Sequence, residues 1–192
     1  MKDVKSFSTR GILHAAAGKE KFKLSRFEPE PKLKSFVEHY WAVHYDLSGE
    51  SPYTQTVLSY PNVHLSFEQD DAGRRALLYG IPKRPFVREL SGAGRVLGVK
   101  FRAGGFYPFW QQDVARLTGA TIPASVLFGH DVDSWADTVL DAEDDATMAS
   151  HAEMFLLEKL PEYNEQAARA AAIVRETMYD REIIKVEQMC ER

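Results

Sequence analysis

The sequence predicts an α+β protein in which a small antiparallel β-barrel or sandwich is followed by a helical region. Three observations carry that reading. Short runs of alternating apolar and polar residues recur about every ten residues, with turn residues between them, as far as Gly104-Gly105. Beyond Gly105 the apolar residues recur at helical spacing instead. The 192 residues are 44% hydrophobic and 27% charged, which provides for a sizeable core and excludes disorder as the main state.

The elements follow in order. Phe22, Leu24 and Phe27 make a short run ended by Pro29 and Pro31. Leu33, Phe36, Val37, Tyr40 and Trp41 fall on one helical face, with Pro31 placed in the first turn where no N–H is needed, so a helix is expected there. It would run into a strand, because Trp41, Val43, Tyr45 and Leu47 alternate with period two. After a loop, Thr54 to Ser59 is rich in strand formers. Val63, Leu65 and Phe67 alternate with His64 and Ser66, which predicts one buried and one polar face. Turns at Asp70 to Gly73 and at Ser91 to Gly94 separate strands at Ala76 to Ile81, Phe86 to Leu90 and Arg95 to Arg102, the last with Leu97, Val99 and Phe101 on one side.

Short helices are expected at Asp113 to Thr118, closed by Gly119, and within Ile122 to Phe128, before Gly129. Met148, Ala152, Phe155, Leu156 and Leu160 share a helical face, with Asp144 or Asp145 as N-cap and Pro161 as the stop. Ala167, Ala170, Val174 and Met178 mark a further helix. A final amphipathic stretch, Ile183 to Arg192, places Val186, Met189 and Cys190 together.

The net charge of −4 hides two electrostatic halves. Residues 1–130 carry 18 Lys and Arg against 12 Asp and Glu, and residues 131–192 carry 6 against 16. The sum disfavours the chain itself as a nucleic-acid reader, which would need a basic excess. Cys190 is the single cysteine, which excludes an internal disulfide and suits a reducing cytoplasm. Apolar runs are far shorter than the roughly 20 residues that span a bilayer, and Met1 to Arg10 has no apolar signal core.

Catalytic and metal chemistry find little purchase. His39 and His44 are five apart, on opposite faces of any strand, and His64 shares a face with Asn62 and Ser66, so no histidine pair has the spacing of a barrel metal site. No G-x-S-x-G elbow is present, and neither Ser59 nor Ser91 has a base nearby in sequence. Gly92, Gly94 and Gly98 mimic a dinucleotide fingerprint but enter a strand instead of leaving one. Cys190 reads as a small core residue. The run Asp131, Asp133, Asp137, Asp141, Glu143, Asp144 and Asp145 lacks the calcium-loop pattern and reads as a solvated face with helix caps. Polar members of apolar strand faces are where a small-molecule site places its orienting groups, which makes Trp41, Tyr45, Tyr79 and Arg95 the candidate ligand-binding residues.

Taken together, several strings resemble the start of AraC-type bacterial transcriptional regulators of one subfamily. They are Thr9 to Leu13, Phe22 to Phe27, Phe36 to Val43, Val57 to Glu68 and, the most specific, Gly94 to Phe106. That subfamily more often has Pro where this chain has Ala103. Ile183 to Arg192 resembles the opening helix of the family's DNA-binding domain, whose two helix-turn-helix units are not in this chain.

The resemblance implies a lead-in over residues 1–19, a cupin-like β-barrel effector domain over 20–129, a helical linker or dimerisation region over 130–182, and the start of a truncated helix-turn-helix domain over 183–192. It implies a cytoplasmic, non-catalytic regulatory part without cofactor. Its partners would be an unidentified small-molecule effector, DNA through the missing domain and a second copy of the chain, with no membrane. A metal-dependent cupin enzyme and a ligand-free protein-interaction module are the alternatives. Ala167, Ala170, Ala171 and Ala172 would permit close helix approach, within the chain or between copies.

Overall fold

The computed structural model describes residues 13, 15–160, 165–180, 182 and 188. Eight strands and six α-helices occur among them, in the order α1 Ala15–Gly18, β1 Lys23–Phe27, β2 Val37–Leu47, β3 Tyr53–Val57, β4 His64–Asp70, β5 Gly73–Tyr79, β6 Phe86–Leu90, β7 Gly92–Phe101, α2 Tyr107–Trp110, β8 Thr121–Pro123, α3 Ser125–Phe128, α4 Asp131–Leu140, α5 Asp145–Glu158 and α6 Glu165–Tyr179. A 3₁₀ turn at Val114–Leu117 precedes β8. The stretch expected as a final helix, Ile183 to Arg192 with Cys190, lies outside the described residues apart from Gln188, as do the side chains of Ala167, Ala170, Val174 and Met178.

The strands form a six-stranded sheet in the order β1-β2-β7-β4-β5-β8 and a separate two-stranded ribbon, β3-β6. Every pairing is antiparallel. The architecture is therefore α+β, but the expected barrel is not closed. Among the described residues the strands β3 and β6 pair only with each other, and the large sheet keeps two edges, at β1 and at the three-residue β8.

One face of the large sheet is covered by helices. Tyr40, Ala42, Leu65, Phe67, Leu97 and Val99 stand on it with no measurable exposure. On α4, Val132, Ala136, Val139 and Leu140 occupy one stripe. On α5 the stripe is Met148, Ala149, Ala152, Phe155 and Leu156, and its two alanines allow close approach of helix to sheet. Phe155 is the hub, with its ring edge-on to Phe67 at 6.0 Å and to Phe128 at 5.0 Å. Asp144 caps α5 by accepting from the Thr147 N–H at 2.7 Å. Asp145, buried in the first turn, accepts from Ser25 Oγ at 2.5 Å and lies 2.5 Å from His44 Nε2 and 3.2 Å from Lys23 Nζ. It pins the helix to β1 and β2.

The acidic run is mostly used within the chain. Asp137 and Asp141 take Arg74 at 3.0 and 2.5 Å, and Asp131 takes Lys159. Among the described residues no helix is long and apolar enough to cross a membrane.

One expected element is replaced. Residues 31–36 form turns, with Val37 N–H donating to the Leu33 carbonyl at 2.8 Å, and the chain then enters β2 instead of continuing as a helix. The helical spacing of Phe36, Val37, Tyr40 and Trp41 arose because β2 is covered on both faces. Tyr40 points to the helices and Trp41 to the opposite side, and pairing with β7 along most of the strand overrides the local pattern.

Candidate functional site

The second face of the large sheet is turned toward the β3-β6 ribbon and is polar. Register aligns its side chains in rows. His39, Lys100, His64 and Tyr79 form one row across β2, β7, β4 and β5. Arg26, Trp41, Gly98, Ser66 and Leu77 form the next, starting from β1. Leu24, Val43, Val96, Glu68 and Arg75 form the third. Because side chains alternate along a strand, all of these fall on one side.

Two glycines shape this face. A Cβ at Gly98 would lie 2.0 Å from Trp41 Cε2, and one at Gly94 would lie 2.3 Å from the Tyr45 hydroxyl oxygen. Trp41 and Tyr45 therefore lie directly across bare backbone of β7, and no residue other than glycine leaves room for them. These are two of the glycines that mimic a dinucleotide fingerprint in the sequence; the structure gives them a packing role.

At the centre is Glu68, 1% exposed. Its Oε1 accepts from Ser66 Oγ at 2.6 Å and from the Tyr79 hydroxyl at 2.8 Å, and its Oε2 accepts from Arg75 and Arg88 at 2.9 Å each. Burial opposes the charge, yet the bonds from Arg88 and Ser66 outweigh it and hold the carboxyl below its usual range. Burial, with Glu68 alongside, pushes the Tyr79 phenol up to about 12. Since Arg88 belongs to β6, this network ties the ribbon to the sheet. The edge contact of Tyr79 with Phe86 at 5.5 Å, and a small apolar cluster of Tyr45, Leu47 and Leu90, tie it at two further places.

Toward the His39 row the chemistry is less committed. Lys100 Nζ donates to Glu38 at 3.0 Å and stands 4.5 Å from the centre of the Tyr60 ring. His39 lies 3.6 Å from the same carboxylate. Burial opposes the Glu38 charge too, but His39 and Lys100 hold it down to about 2. The His64 ring meets Trp41 edge-on at 6.5 Å. Burial, then Lys100 and His39, push its pKa down to about 3, so the imidazole is neutral at physiological pH. Neither Trp41 Nε1 nor a ring nitrogen of His64 has a hydrogen bond to any described residue.

Of the four residues singled out from the sequence, Trp41, Tyr45 and Tyr79 share this face, and Arg95 does not. Arg95 lies on the helix side, where it donates to the Ala142 carbonyl at 2.9 Å and approaches Met148 Sδ at 3.0 Å, fixing the connection between α4 and α5. Sequence reasoning missed Glu68, Arg88, Arg26, Lys100 and His64 as members of the site. The signal was present in the polar parity of His64, Ser66 and Glu68, which reads equally well as a solvent face. Ser66 and Glu68 are in fact 1% exposed, beneath the ribbon.

Ser25, His44 and Asp145 supply the residue types of a hydrolytic triad in the wrong order. Asp145 bonds to both of the others, so it takes the place between serine and histidine that the histidine would need. Among the described residues no three of His, Cys, Asp and Glu gather at metal-binding separation.

Residues 25–123 match the family described as Domain of unknown function (DUF6597). The chain belongs to this family. No curated protein and no solved structure matches the chain. The DUF6597 segment runs from within β1 to the last residue of β8, so it contains the ribbon, all but the start of the large sheet and every residue of the polar face named above except Leu24, and it leaves out α3 to α6.

Proposed function

We propose that the chain is the regulatory part of an AraC-type transcription regulator, and that its two facing sheets act as an opened, cupin-like barrel that senses a small molecule. The observation that carries this reading is the second face of the large sheet. It is a half-buried platform of two aromatic side chains laid over glycines and surrounded by convergent polar groups, whereas a purely structural sheet would place apolar residues there. The resemblance of Gly94 to Phe106 and its neighbouring strings to such regulators supports the same assignment.

In this reading the ligand enters between sheet and ribbon and stacks on Trp41. The signal crosses a single sheet. Arg95 and His44 lie on the opposite face of β7 and β2 and hold the α4-α5 connection and the start of α5, so a shift of these strands is felt by the helices. A separate domain reads DNA, and the helices adjust its arrangement or the pairing of two copies.

Thermal-shift screening against metabolites and xenobiotics tests the proposal. A ligand at 100 times its dissociation constant adds about 2.7 kcal/mol, which raises the midpoint by roughly 5 to 10 °C for a domain of this size. The shift is expected to vanish in Trp41→Ala. A library without a single Trp41-dependent stabiliser overturns sensing, and salt-dependent, sequence-specific duplex binding by this chain overturns the assignment of DNA reading elsewhere.

A further inference from the structure

The polar face spends its charges on one another. Arg75 donates to Glu68 and Asp70, and Arg88 donates to Glu68, at 2.5 to 2.9 Å. In the His39 row Lys100 donates to Glu38 at 3.0 Å with its Nζ 4.5 Å from the centre of the Tyr60 ring, and His39 faces the same carboxylate at 3.6 Å. Arg26 is likewise engaged. What this face leaves unclaimed is uncharged. Among the described residues the indole N–H of Trp41 and both ring nitrogens of His64 have no hydrogen-bond partner, and the His64 imidazole, its pKa pushed down to about 3 by burial and by Lys100, is neutral. The two rings meet edge-on with their centres 6.5 Å apart.

We propose that this corner takes an uncharged planar aromatic amide, whose ring stacks on Trp41 and whose amide group meets His64. The assignment rests on the sensing role of the same face and names its ligand class. A charged ligand would arrive without a counter-ion. An anion would have to take Lys100 from Glu38, and a cation would have to take Glu38 from Lys100, so either leaves a half-buried charge unpaired. A neutral imidazole offers one N–H and one bare nitrogen, and an amide answers whichever of them it meets, with its carbonyl or with its own N–H. Gly98 makes the arrangement possible, since it lets the indole lie on the backbone and present its outer face to a ring.

The size of the indole suggests bicyclic probes, so the experiment measures calorimetric binding of 2-naphthamide, the anionic 2-naphthoate and the cationic 2-naphthylmethylammonium to the full chain. The three share one ring system and differ in charge. The amide is expected to bind at least about tenfold more tightly than either ion. His64→Phe keeps a ring and removes both nitrogens, and is expected to weaken the amide by about tenfold. Glu38→Gln releases Lys100 from its carboxylate and is expected to tighten the acid by about tenfold, which keeps the test decisive should His64→Phe fold poorly.

Either ion binding the native chain as tightly as the amide overturns the assignment. So does an amide indifferent to His64→Phe, or an acid indifferent to Glu38→Gln. The two readings also fail differently. If the amide does not bind but a library compound does, in a Trp41-dependent way, the uncharged amide is wrong and sensing stands. If no compound of any charge binds in a Trp41-dependent way, both fall.

Discussion

The two faces of one sheet solve opposite problems. Toward the helices, β2, β4 and β7 present Tyr40, Ala42, Leu65, Phe67, Leu97 and Val99 to the apolar stripes of α4 and α5. Toward the ribbon, the same strands present Trp41, Ser66, Glu68, Gly98 and Lys100. The first face is held by apolar area and ring packing, and the second by a bonded charge network whose partners must all be present. Apolar packing and the polar network are thereby separated by the thickness of a strand, so the polar face can vary without emptying the core.

The sharpest test of this division removes the hub of the apolar side. Phe155→Ala strips three aromatic contacts and leaves a void that the surrounding sheet cannot close, with an expected loss of about 3 to 5 kcal/mol by urea denaturation. A loss below about 1 kcal/mol would mean that the helices are not seated on the sheet as described.

On the polar side, Glu68→Gln keeps the shape and removes the charge that joins Arg75, Arg88 and Tyr79. The expected cost is about 2 to 3 kcal/mol, below that of Phe155→Ala because both arginines are partly exposed and retain Asp70 nearby. If the ribbon is tied to the sheet mainly by this network, amide exchange in β3 and β6 should quicken in the variant more than exchange in β2 and β7. Uniform quickening would show that the ribbon has no separate attachment.

How much of this was legible depended on whether local pattern and burial agreed. The turn at Asp70 to Gly73 marked the β4-β5 hairpin because such turns are dictated locally, whereas of the expected turn at Ser91 to Gly94 only Ser91 lies between strands and Gly92 to Gly94 already pair with β2 as the start of β7. The α5 helix was legible for the same reason, with its cap narrowed to Asp144 or Asp145, of which the structure uses Asp144. The region around Tyr40 and Trp41 misled because a strand buried on both sides loses its alternation and can imitate a helical stripe. Arg95 was placed with the wrong partners although its parity with Leu97 and Val99 already put it on the apolar side. Glu68 could not have been found from β4 alone. Its burial depends on Arg88 and on a ribbon 20 residues away in sequence, and a polar strand face without that ribbon would be a solvent face.

The smallest expected effect concerns protonation, and it distinguishes the faces without any substitution. His64 has a folded pKa of about 3 against 6.5 for the free side chain, and burial lowers that of His39 in the same direction. The unfolded chain therefore takes up protons that the folded chain refuses as pH falls below 6.5. Stability is lost over that window, at up to about 1.4 kcal/mol per pH unit for each fully refused proton. Carboxylates with lowered pKa, such as Glu38 and Asp145, act only below about pH 4.5, so the interval from pH 6.5 to about 5 reports the histidines. Denaturation midpoints measured across it should fall with pH, and His64→Gln should flatten the slope. A slope unchanged by that variant would place His64 in water instead of beside Lys100 and Trp41.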